Sequence, residues 1–311
     1  SLTGGAENDE LSGGAGADTF NVDAGTDTIS DLTTSDILKV SSGATANATN
    51  VFAFVATSDT SNLGISNIYA SGGNATIDMT LSSSGAYNIY GGAGNDTLKG
   101  GTGNDLFTVI NSGEANSDTI DGGSGSDILQ LSAGTHTIAG NSNLVGIETI
   151  RAHASGSVTN FSGQTENLIF IGGAGNDTFT MAGNLTAADT IDGGAGTDII
   201  SVNTGTVDSQ FALVSNVETA TMATSGTLTL GSNAQSAGIV TVNTADGTDT
   251  VDASAMTSDL TINLGTSGTG NVTTLTFGSG DDTLSVTGTA ELEATDIVAF
   301  GAGSDTLSLN N

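Results

Sequence analysis

A nine-residue segment of the form Gly-Gly-x-Gly-x-Asp-x-apolar-x recurs along this chain and limits what the chain can fold into. Repeats this short cannot bury an apolar face alone, so they are expected to stack on one another in a solenoid. Copies with the glycine pair stand at 13–21, 91–99, 100–108, 122–130, 172–180 and 193–201. Looser copies stand at 4–12, 22–30, 31–39, 113–121, 184–192, 244–252, 277–285, 291–299 and 300–308.

The sixth place of every copy holds an aspartate, and an apolar residue follows two positions later. Glycines allow the left-handed and close backbone conformations in which carbonyl oxygens converge, and the carboxylate adds a hard anionic oxygen. The last three residues form a short strand whose middle side chain points inward. The aspartates are Asp9, Asp18, Asp27, Asp36, Asp96, Asp105, Asp118, Asp127, Asp177, Asp189, Asp198, Asp249, Asp282, Asp296 and Asp305.

The charge balance favours cations as partners. The 311 residues include 34 Asp and Glu against 3 Lys and Arg, for a formal net charge of -31. Nothing in that balance could neutralise nucleic acid or an anionic membrane, and no apolar stretch approaches the roughly 18 residues of a membrane span. We therefore expect no nucleic-acid partner and no membrane insertion. The absence of cysteine excludes disulfides and thiolate metal sites.

The repeats resemble the RTX nonapeptides of hemolysin-type calcium-binding proteins. The resemblance implies an all-β fold, a parallel β-roll or β-solenoid, with multiple Ca²⁺ ions between stacked turns. It also implies that each ion is held by the sixth-place aspartates named above and by glycine-turn carbonyls. The implied glycines are Gly91, Gly92, Gly94, Gly100, Gly101, Gly103, Gly122, Gly123, Gly125, Gly172, Gly173, Gly175, Gly193, Gly194 and Gly196.

Some copies depart from the pattern. Asp36, Asp118, Asp189 and Asp296 stand in turns without a glycine pair. Two roles stay open for these aspartates: each contributes one ligand to a neighbouring site, or none.

The repeat blocks are separated by β-rich spacers rather than by linkers. We predict that residues 1–311 form one continuous or near-continuous solenoid whose coils lengthen where the motif is missing. The spacer strands are predicted within 86–92, 166–173, 226–231, 259–265 and 272–278. The calcium-binding blocks are predicted at about 4–39, 91–130, 172–201, 244–252 and 277–308.

A larger unit is duplicated within the chain. The segment 118–128 is echoed by 189–199, and Gly-Ile-Glu-Thr at 146–149 is echoed by Asn-Val-Glu-Thr at 216–219. Glu148 and Glu218 in these echoes are either ligands or surface carboxylates at strand ends, and the second interpretation is favoured.

No nucleophile elbow, P-loop or dinucleotide fingerprint occurs, so we expect no enzyme activity. Segments such as 185–198 and 216–222 resemble calcium-dependent bacterial surface-layer proteins. That resemblance implies a structural protein of the cell surface that leaves the cell by type I secretion and self-associates into an array. Cell-surface polysaccharide is a further expected partner, although Tyr87 and Tyr90 fit strand packing better than a sugar platform. The alternative is a non-catalytic RTX module of a type I secreted enzyme, toxin or adhesin.

Overall fold

The computed structural model describes residues 1–109, 117–138, 143–163, 167–265, 273–287 and 292–310. The start of the predicted copy at 113–121 lies outside these residues, as do Glu166, Val272 and Glu291 of the predicted spacer and repeat segments. The described chain divides into two compact units, Ser1–His153 and Ala154–Asn311. Each unit is a stack of short parallel strands, a β-solenoid, and the two contain about 13 turns in all.

The described residues of the first unit form eighteen strands. They are β1 (Leu2–Thr3), β2 (Glu10–Leu11), β3 (Thr19–Val22), β4 (Thr26–Ile29), β5 (Ile37–Val40), β6 (Thr45–Val51), β7 (Ala53–Val55), β8 (Ser61–Asn62), β9 (Ile65–Ala70), β10 (Thr76–Asp78), β11 (Asn88–Tyr90), β12 (Thr97–Gly101), β13 (Leu106–Thr108), β14 (Thr119–Gly123), β15 (Ile128–Gln130), β16 (Gly134–Thr137), β17 (Leu144–Val145) and β18 (Thr149–Arg151).

The described residues of the second unit form fifteen strands, one short 3-10 helix and one short α-helix. They are β19 (Ser157–Asn160), β20 (Ile169–Ile171), β21 (Thr178–Thr180), β22 (Thr190–Asp192), β23 (Ile199–Val202), the 3-10 helix Asp208–Phe211, β24 (Val214–Ser215), β25 (Thr219–Met222), β26 (Thr227–Thr229), α1 (Ser232–Ala237), β27 (Thr241–Asn243), β28 (Thr250–Asp252), β29 (Thr261–Leu264), β30 (Thr274–Thr276), β31 (Thr283–Thr287), β32 (Ile297–Ala299) and β33 (Thr306–Asn310).

The strands pair with strands one coil away rather than with their chain neighbours. In the first unit the sheet orders are β1-β3-β5-β8, β7-β10-β12-β14-β17 and β2-β4-β6-β9-β11-β13-β15-β18. In the second they are β20-β22-β24, β26-β28-β30-β32 and β19-β21-β23-β25-β27-β29-β31-β33. The pairings with a defined register are parallel, as in β3 with β5 and β21 with β23. This confirms the predicted all-β parallel solenoid.

Coil length follows the motif. Phe20 pairs with Leu38, which is two nonapeptides further along the chain. Where spacers interrupt the motif the coil is longer, as in the pairing of Val251 with Leu275. The paired strands keep their parallel register despite the change in length.

The core is a column of apolar side chains inside each stack. The apolar residue two places after the aspartate is buried in almost every copy, as in Phe20, Phe107 and Ile200, each 0% exposed. Leu307 is 49% exposed, because its strand β33 pairs only with β31 and no described coil covers it. The inward direction predicted for this position is confirmed.

The helix α1 was not expected from the sequence. Its first amides are capped by an aspartate of the preceding coil: Asp208 accepts hydrogen bonds from the backbone N–H groups of Gly231, Asn233 and Ala234 at 2.7–3.2 Å. A six-residue helix has little stability of its own, so this long-range cap explains why no local pattern predicted it. Among the residues that the structure describes, no helix combines the length and the apolar character that crossing a membrane requires.

Candidate functional site

The sixth-place aspartates form hydrogen-bonded ladders along the turns. One carboxylate oxygen, Oδ1, accepts a hydrogen bond from the backbone N–H at the equivalent position one coil earlier. Asp105 accepts from Tyr87 at 2.7 Å, and Asp127 accepts in turn from Asp105 at 2.7 Å. In the second unit Asp198 accepts from Asp177 at 2.7 Å. The ladder fixes each carboxylate between two stacked turns.

Other sixth-place aspartates occupy the same rungs. Their Oδ1 atoms accept from the preceding coil in Asp27, Asp36, Asp96, Asp118, Asp177, Asp189, Asp249, Asp282, Asp296 and Asp305. Asp9 and Asp18 stand at the first rungs and donate their backbone N–H groups to Asp27 and Asp36. The predicted aspartates are therefore brought into register by the fold.

The second carboxylate oxygen, Oδ2, is what makes these turns unusual. It is buried and has no hydrogen-bond partner in Asp27, Asp105, Asp127, Asp198, Asp249 and Asp282. A buried, unsatisfied carboxylate oxygen strongly disfavours folding. Desolvation by burial, followed by repulsion from Asp127, raises the pKa of Asp105 to about 7. These oxygens therefore require either a proton or a cation.

Burial raises the pKa of other aspartates in the ladders as well. Desolvation raises the pKa of Asp198 to about 6, and Asp177, Glu218 and Asp192 add to this by repulsion. Burial also raises the pKa of Asp127. The fold thus holds like charges together in turns that offer no basic side chain to neutralise them.

Backbone carbonyls converge on the same point as the unsatisfied oxygens. A Cβ built on Gly100 would lie 2.2 Å from Oδ2 of Asp105 and 2.7 Å from the carbonyl oxygen of Gly122 in the next coil. A side chain at this position would therefore clash with both oxygens, and glycine lets a carboxylate and a carbonyl oxygen, two ligand types that calcium prefers, lie close together. The first glycine of the turn is needed for this reason.

The later glycines of the turn are required by the backbone. Gly123 and Gly125 have φ of 92° and 150°, in the region that residues with a Cβ rarely adopt. A Cβ on Gly123 would also lie 2.1 Å from the carbonyl oxygen of Gly101. The turns consequently stack backbone against backbone, which brings carbonyl oxygens from two coils together.

These features fit bound calcium. Calcium prefers six to eight hard oxygen ligands that include carboxylates and backbone carbonyls. Within the described residues no group of three or more His, Cys, Asp or Glu side chains could hold a metal by itself. Backbone carbonyl oxygens of the glycine-rich turns can add to the carboxylates in each shell.

Three turns without the glycine pair satisfy their aspartate differently. Oδ2 of Asp36 accepts hydrogen bonds from the N–H and hydroxyl of Thr33 at 2.7 and 2.8 Å. Asp189 is held in the same way by Thr186 at 2.8 and 3.0 Å, and Asp296 accepts from the N–H of Glu293 at 2.7 Å. Of the two roles left open for these aspartates, this geometry favours the one without an ion.

Leucine takes part in two of these self-capped turns. Leu32 and Leu185, the second residues of the turns, are 3% and 2% exposed. An apolar side chain is therefore buried at the place that the second glycine occupies in the glycine turns. Leu at the second place with Thr or Glu at the third is the sequence signal of these turns, and the prediction from sequence did not use it.

Two further residues belong to the ladders although they stand outside any nonapeptide. Oε2 of Glu148 accepts a hydrogen bond from the N–H of Asp127 at 2.8 Å, and Glu218 accepts from Asp198 at 2.7 Å. The favoured interpretation of these glutamates as surface carboxylates at strand ends is incomplete. They take the next rung, because glutamate reaches the same amide from a shorter loop.

The tyrosines follow the expected strand packing. Tyr87 is 1% exposed, and its hydroxyl lies 2.6 Å from Oγ of Ser82. Tyr90 stacks on Tyr69 with ring centroids 4.4 Å apart. Both arrangements direct the ring faces into contacts within the protein.

Comparison with known proteins places these turns in a family. The family model described as the RTX calcium-binding nonapeptide repeat (4 copies) matches residues 1–29, 85–108, 112–142, 169–180 and 186–206. No curated protein and no solved structure matches the chain. RTX repeats bind calcium, form a non-catalytic module and typically occur in secreted proteins. This chain therefore carries the RTX calcium-binding nonapeptide repeat, and these repeats indicate a calcium-binding structural module.

Proposed function

We propose that the chain is a structural protein of the bacterial cell surface, a surface-layer protein that folds and assembles only with calcium. The observation that carries the calcium part is the buried, unpartnered Oδ2 of Asp105, Asp127 and Asp198, each in a glycine turn. Two carboxylates about 5 Å apart repel by roughly 3 kcal/mol at an effective dielectric near 20. A column of them needs cations between the turns.

A structural role is supported by the continuity of the architecture. All strands of the described residues belong to the solenoid sheets, and the spacer strands β11, β20, β26, β29 and β30 extend the sheets that contain the repeats. The spacers thus continue the parallel stacking of coils seen in the predicted calcium-binding blocks. We infer that 1–311 act as one structural body, exported by type I secretion, without catalytic activity.

Self-association into an array is proposed from the charge of the chain. The net charge of -31 opposes close approach of two copies, and bound calcium removes much of that repulsion. Cell-surface polysaccharide is a further proposed partner, and the strongly acidic chain would contact it through bridging calcium.

The calcium dependence is tested by circular dichroism of the chain in chelator and during a calcium titration. We expect little β structure in chelator and a cooperative gain at the micromolar to millimolar calcium typical of extracellular sites. Magnesium is the matched control, and it should substitute poorly because it demands stricter octahedral geometry. Native β content that survives prolonged chelation would contradict the proposal.

Assembly needs its own experiment, on the full natural protein. Light scattering and electron microscopy should show concentration-dependent oligomers or sheets with calcium that disperse when chelator is added. A calcium-loaded protein that stays monomeric at high concentration would favour the module of a secreted enzyme, toxin or adhesin instead.

A further inference from the structure

The end of a repeat block poses a problem for a site that lies between two coils. The last nonapeptide of two blocks, 122–130 and 193–201, is followed by a coil that has no glycine turn. Its aspartate nevertheless has a buried second oxygen: Asp127 and Asp198 are both 0% exposed, and neither Oδ2 has a hydrogen-bond partner. Something must satisfy these oxygens from the following coil.

We propose that the loops Gly146–Glu148 and Asn216–Glu218 close a calcium site at the end of each block, with the glutamate carboxylate as a ligand. The ligands assigned to the first site are Oδ2 of Asp127, the carboxylate of Glu148 and the carbonyl oxygen of Gly146. Those of the second are Oδ2 of Asp198, the carboxylate of Glu218 and the carbonyl oxygen of Asn216. This inference rests on the proposed calcium function and extends it to residues outside the nonapeptide.

The carbonyl oxygens lie where a regular repeat would put them. In a regular pair of coils, the carbonyl oxygen of Gly122 and Oδ2 of Asp105 both lie close to the Cβ position of Gly100. At the end of the first block the corresponding space beside Gly122 is bordered by the carbonyl oxygen of Gly146 at 2.1 Å and Oδ2 of Asp127 at 2.5 Å, both measured from the Cβ position. The same pair of oxygens, one carbonyl and one carboxylate, thus recurs at the end of the block, although the following coil has no glycine pair.

At the end of the second block the carbonyl oxygen comes from asparagine instead of glycine. The Cβ position of Gly193 lies 1.8 Å from the carbonyl oxygen of Asn216 and 2.7 Å from Oδ2 of Asp198. Asn216 has φ of 52° and Gly146 has φ of 60°, so both residues adopt the left-handed conformation that aims the carbonyl inward. Nδ2 of Asn216 also donates a hydrogen bond to Asp192 at 2.7 Å, which holds the loop against the preceding coil.

Glutamate rather than aspartate stands on the last rung because the loop is short. A nonapeptide has four residues between the first glycine and the aspartate, whereas one residue separates Gly146 from Glu148. The shortened loop changes the backbone: the N–H groups of Glu218 and Thr219 both donate to the carbonyl oxygen of Asp198, at 3.2 and 3.0 Å. The longer side chain still places one oxygen on the Asp198 N–H, and a carboxylate has a second oxygen for a cation.

The charges gathered here support a cation over a hydrogen bond. Oδ2 of Asp127 is buried without a hydrogen-bond partner, and the carboxylate of Glu148 is held beside it by the N–H of the same aspartate. Glu148 is exposed and Glu218 is half-buried, so water can complete the six to eight oxygens that calcium prefers. A divalent cation with oxygen ligands is the ligand class that this set of groups would take.

The test is calcium binding by the full chain with both glutamates changed, Glu148→Gln and Glu218→Gln. Glutamine keeps an oxygen for the amides of Asp127 and Asp198 but removes the charge. The matched control is Glu10→Gln, which removes one negative charge from an exposed position on β2. Bound calcium per chain is measured by equilibrium dialysis and elemental analysis from about 1 µM to about 1 mM free calcium.

We expect the double variant to bind two ions at least about tenfold more weakly than the unchanged chain, because calcium affinity follows the ligand charge. The remaining ions should titrate as in Glu10→Gln. An isotherm that superimposes on that of Glu10→Gln would overturn the inference while leaving the proposed function intact. An unchanged chain that binds no calcium would overturn both.

A second measurement covers the case in which the double variant does not fold. A crystal structure of the unchanged chain grown with calcium should show an ion bound by Asp198, Glu218 and the carbonyl oxygen of Asn216. An ion at Asp198 without Glu218 in its shell, or a Glu218 carboxylate without an ion, would contradict the assignment.

Discussion

Replacing Asp105 by asparagine should change stability in opposite directions with and without calcium. Asparagine keeps an oxygen for the N–H of Tyr87, which Asp105 binds at 2.7 Å, but removes the charge and the second carboxylate oxygen. The matched control is Asp189→Asn. Asp189 stands on an equivalent rung, but its second oxygen already accepts two hydrogen bonds from Thr186.

The magnitude follows from the pKa of Asp105, which burial and repulsion from Asp127 raise from 3.8 to about 7. One pKa unit corresponds to about 1.4 kcal/mol, so at pH 8 the charged side chain disfavours the ion-free fold by on the order of 4 kcal/mol. Asp105→Asn removes this penalty in chelator. With calcium, weakening one site about 100-fold lowers the free energy of unfolding by about 2.7 kcal/mol.

The control variant should not change sign between the two conditions. Asp189→Asn loses hydrogen bonds to a charged acceptor, which contribute about 1.5 to 3 kcal/mol each. It should therefore destabilise the fold to a similar extent with and without calcium.

Two titrations followed by circular dichroism measure these effects. Urea unfolding at saturating calcium gives the change in the calcium-bound state. In chelator, where the chain is expected to be unfolded, the concentration of trimethylamine N-oxide needed to restore β structure reports the change, because this osmolyte favours the compact state. If Asp105→Asn destabilises the fold in chelator as well as with calcium, as Asp189→Asn is expected to do, the unpartnered oxygen of Asp105 is not the calcium ligand.

Three further predictions concern protons, glycine and the core. In chelator the β content should rise as the pH falls from about 8 to about 5. The folded-state pKa values of Asp105 and Asp198, about 7 and about 6, lie above the unfolded values, so the penalty for their charge is present above the folded pKa and lost below it. Unchanged dichroism over this range would contradict the burial of these carboxylates. Gly122→Ala should abolish calcium binding at its turn, because the Cβ would fill the ligand space, whereas Gly72→Ala meets no atom within 4 Å and should leave calorimetric calcium binding unchanged. Phe179→Ala should lower the free energy of unfolding by about 3 to 5 kcal/mol, measured in urea with calcium; a loss below about 1 kcal/mol would mean that its 0% exposure is not kept in solution.

Local pattern was sufficient for the repeating unit itself. Alternation in a short strand fixes which side chain points inward, so the buried positions of Phe20, Phe107 and Ile200 were predictable from the motif. The chemistry of the turn was equally local. Glycine and aspartate at fixed spacing indicate converging oxygen ligands, and this spacing does not depend on what lies one coil away.

The partner of each carboxylate oxygen could not be predicted in the same way. The ladder joins residues such as Asp105 and Asp127 across a whole coil, and coils differ in length. The rungs occupied by Glu148 and Glu218 were assigned to strand ends because no nonapeptide surrounds them. Only the stacked backbone shows that they stand above Asp127 and Asp198.

The sequence by itself determined the strand period, the inward apolar column and the presence of oxygen-rich turns, because these depend on neighbours within nine residues. The tertiary structure alone decided which carboxylate oxygens are buried without a partner. Asp105 and Asp36 share the same place in the motif, but stacking leaves one carboxylate oxygen of Asp105 buried without a partner, whereas the turn of Asp36 supplies two hydrogen-bond donors from Thr33. The physical reason is that a buried charge must be satisfied where it lies, and its surroundings are set by the coil packed against it.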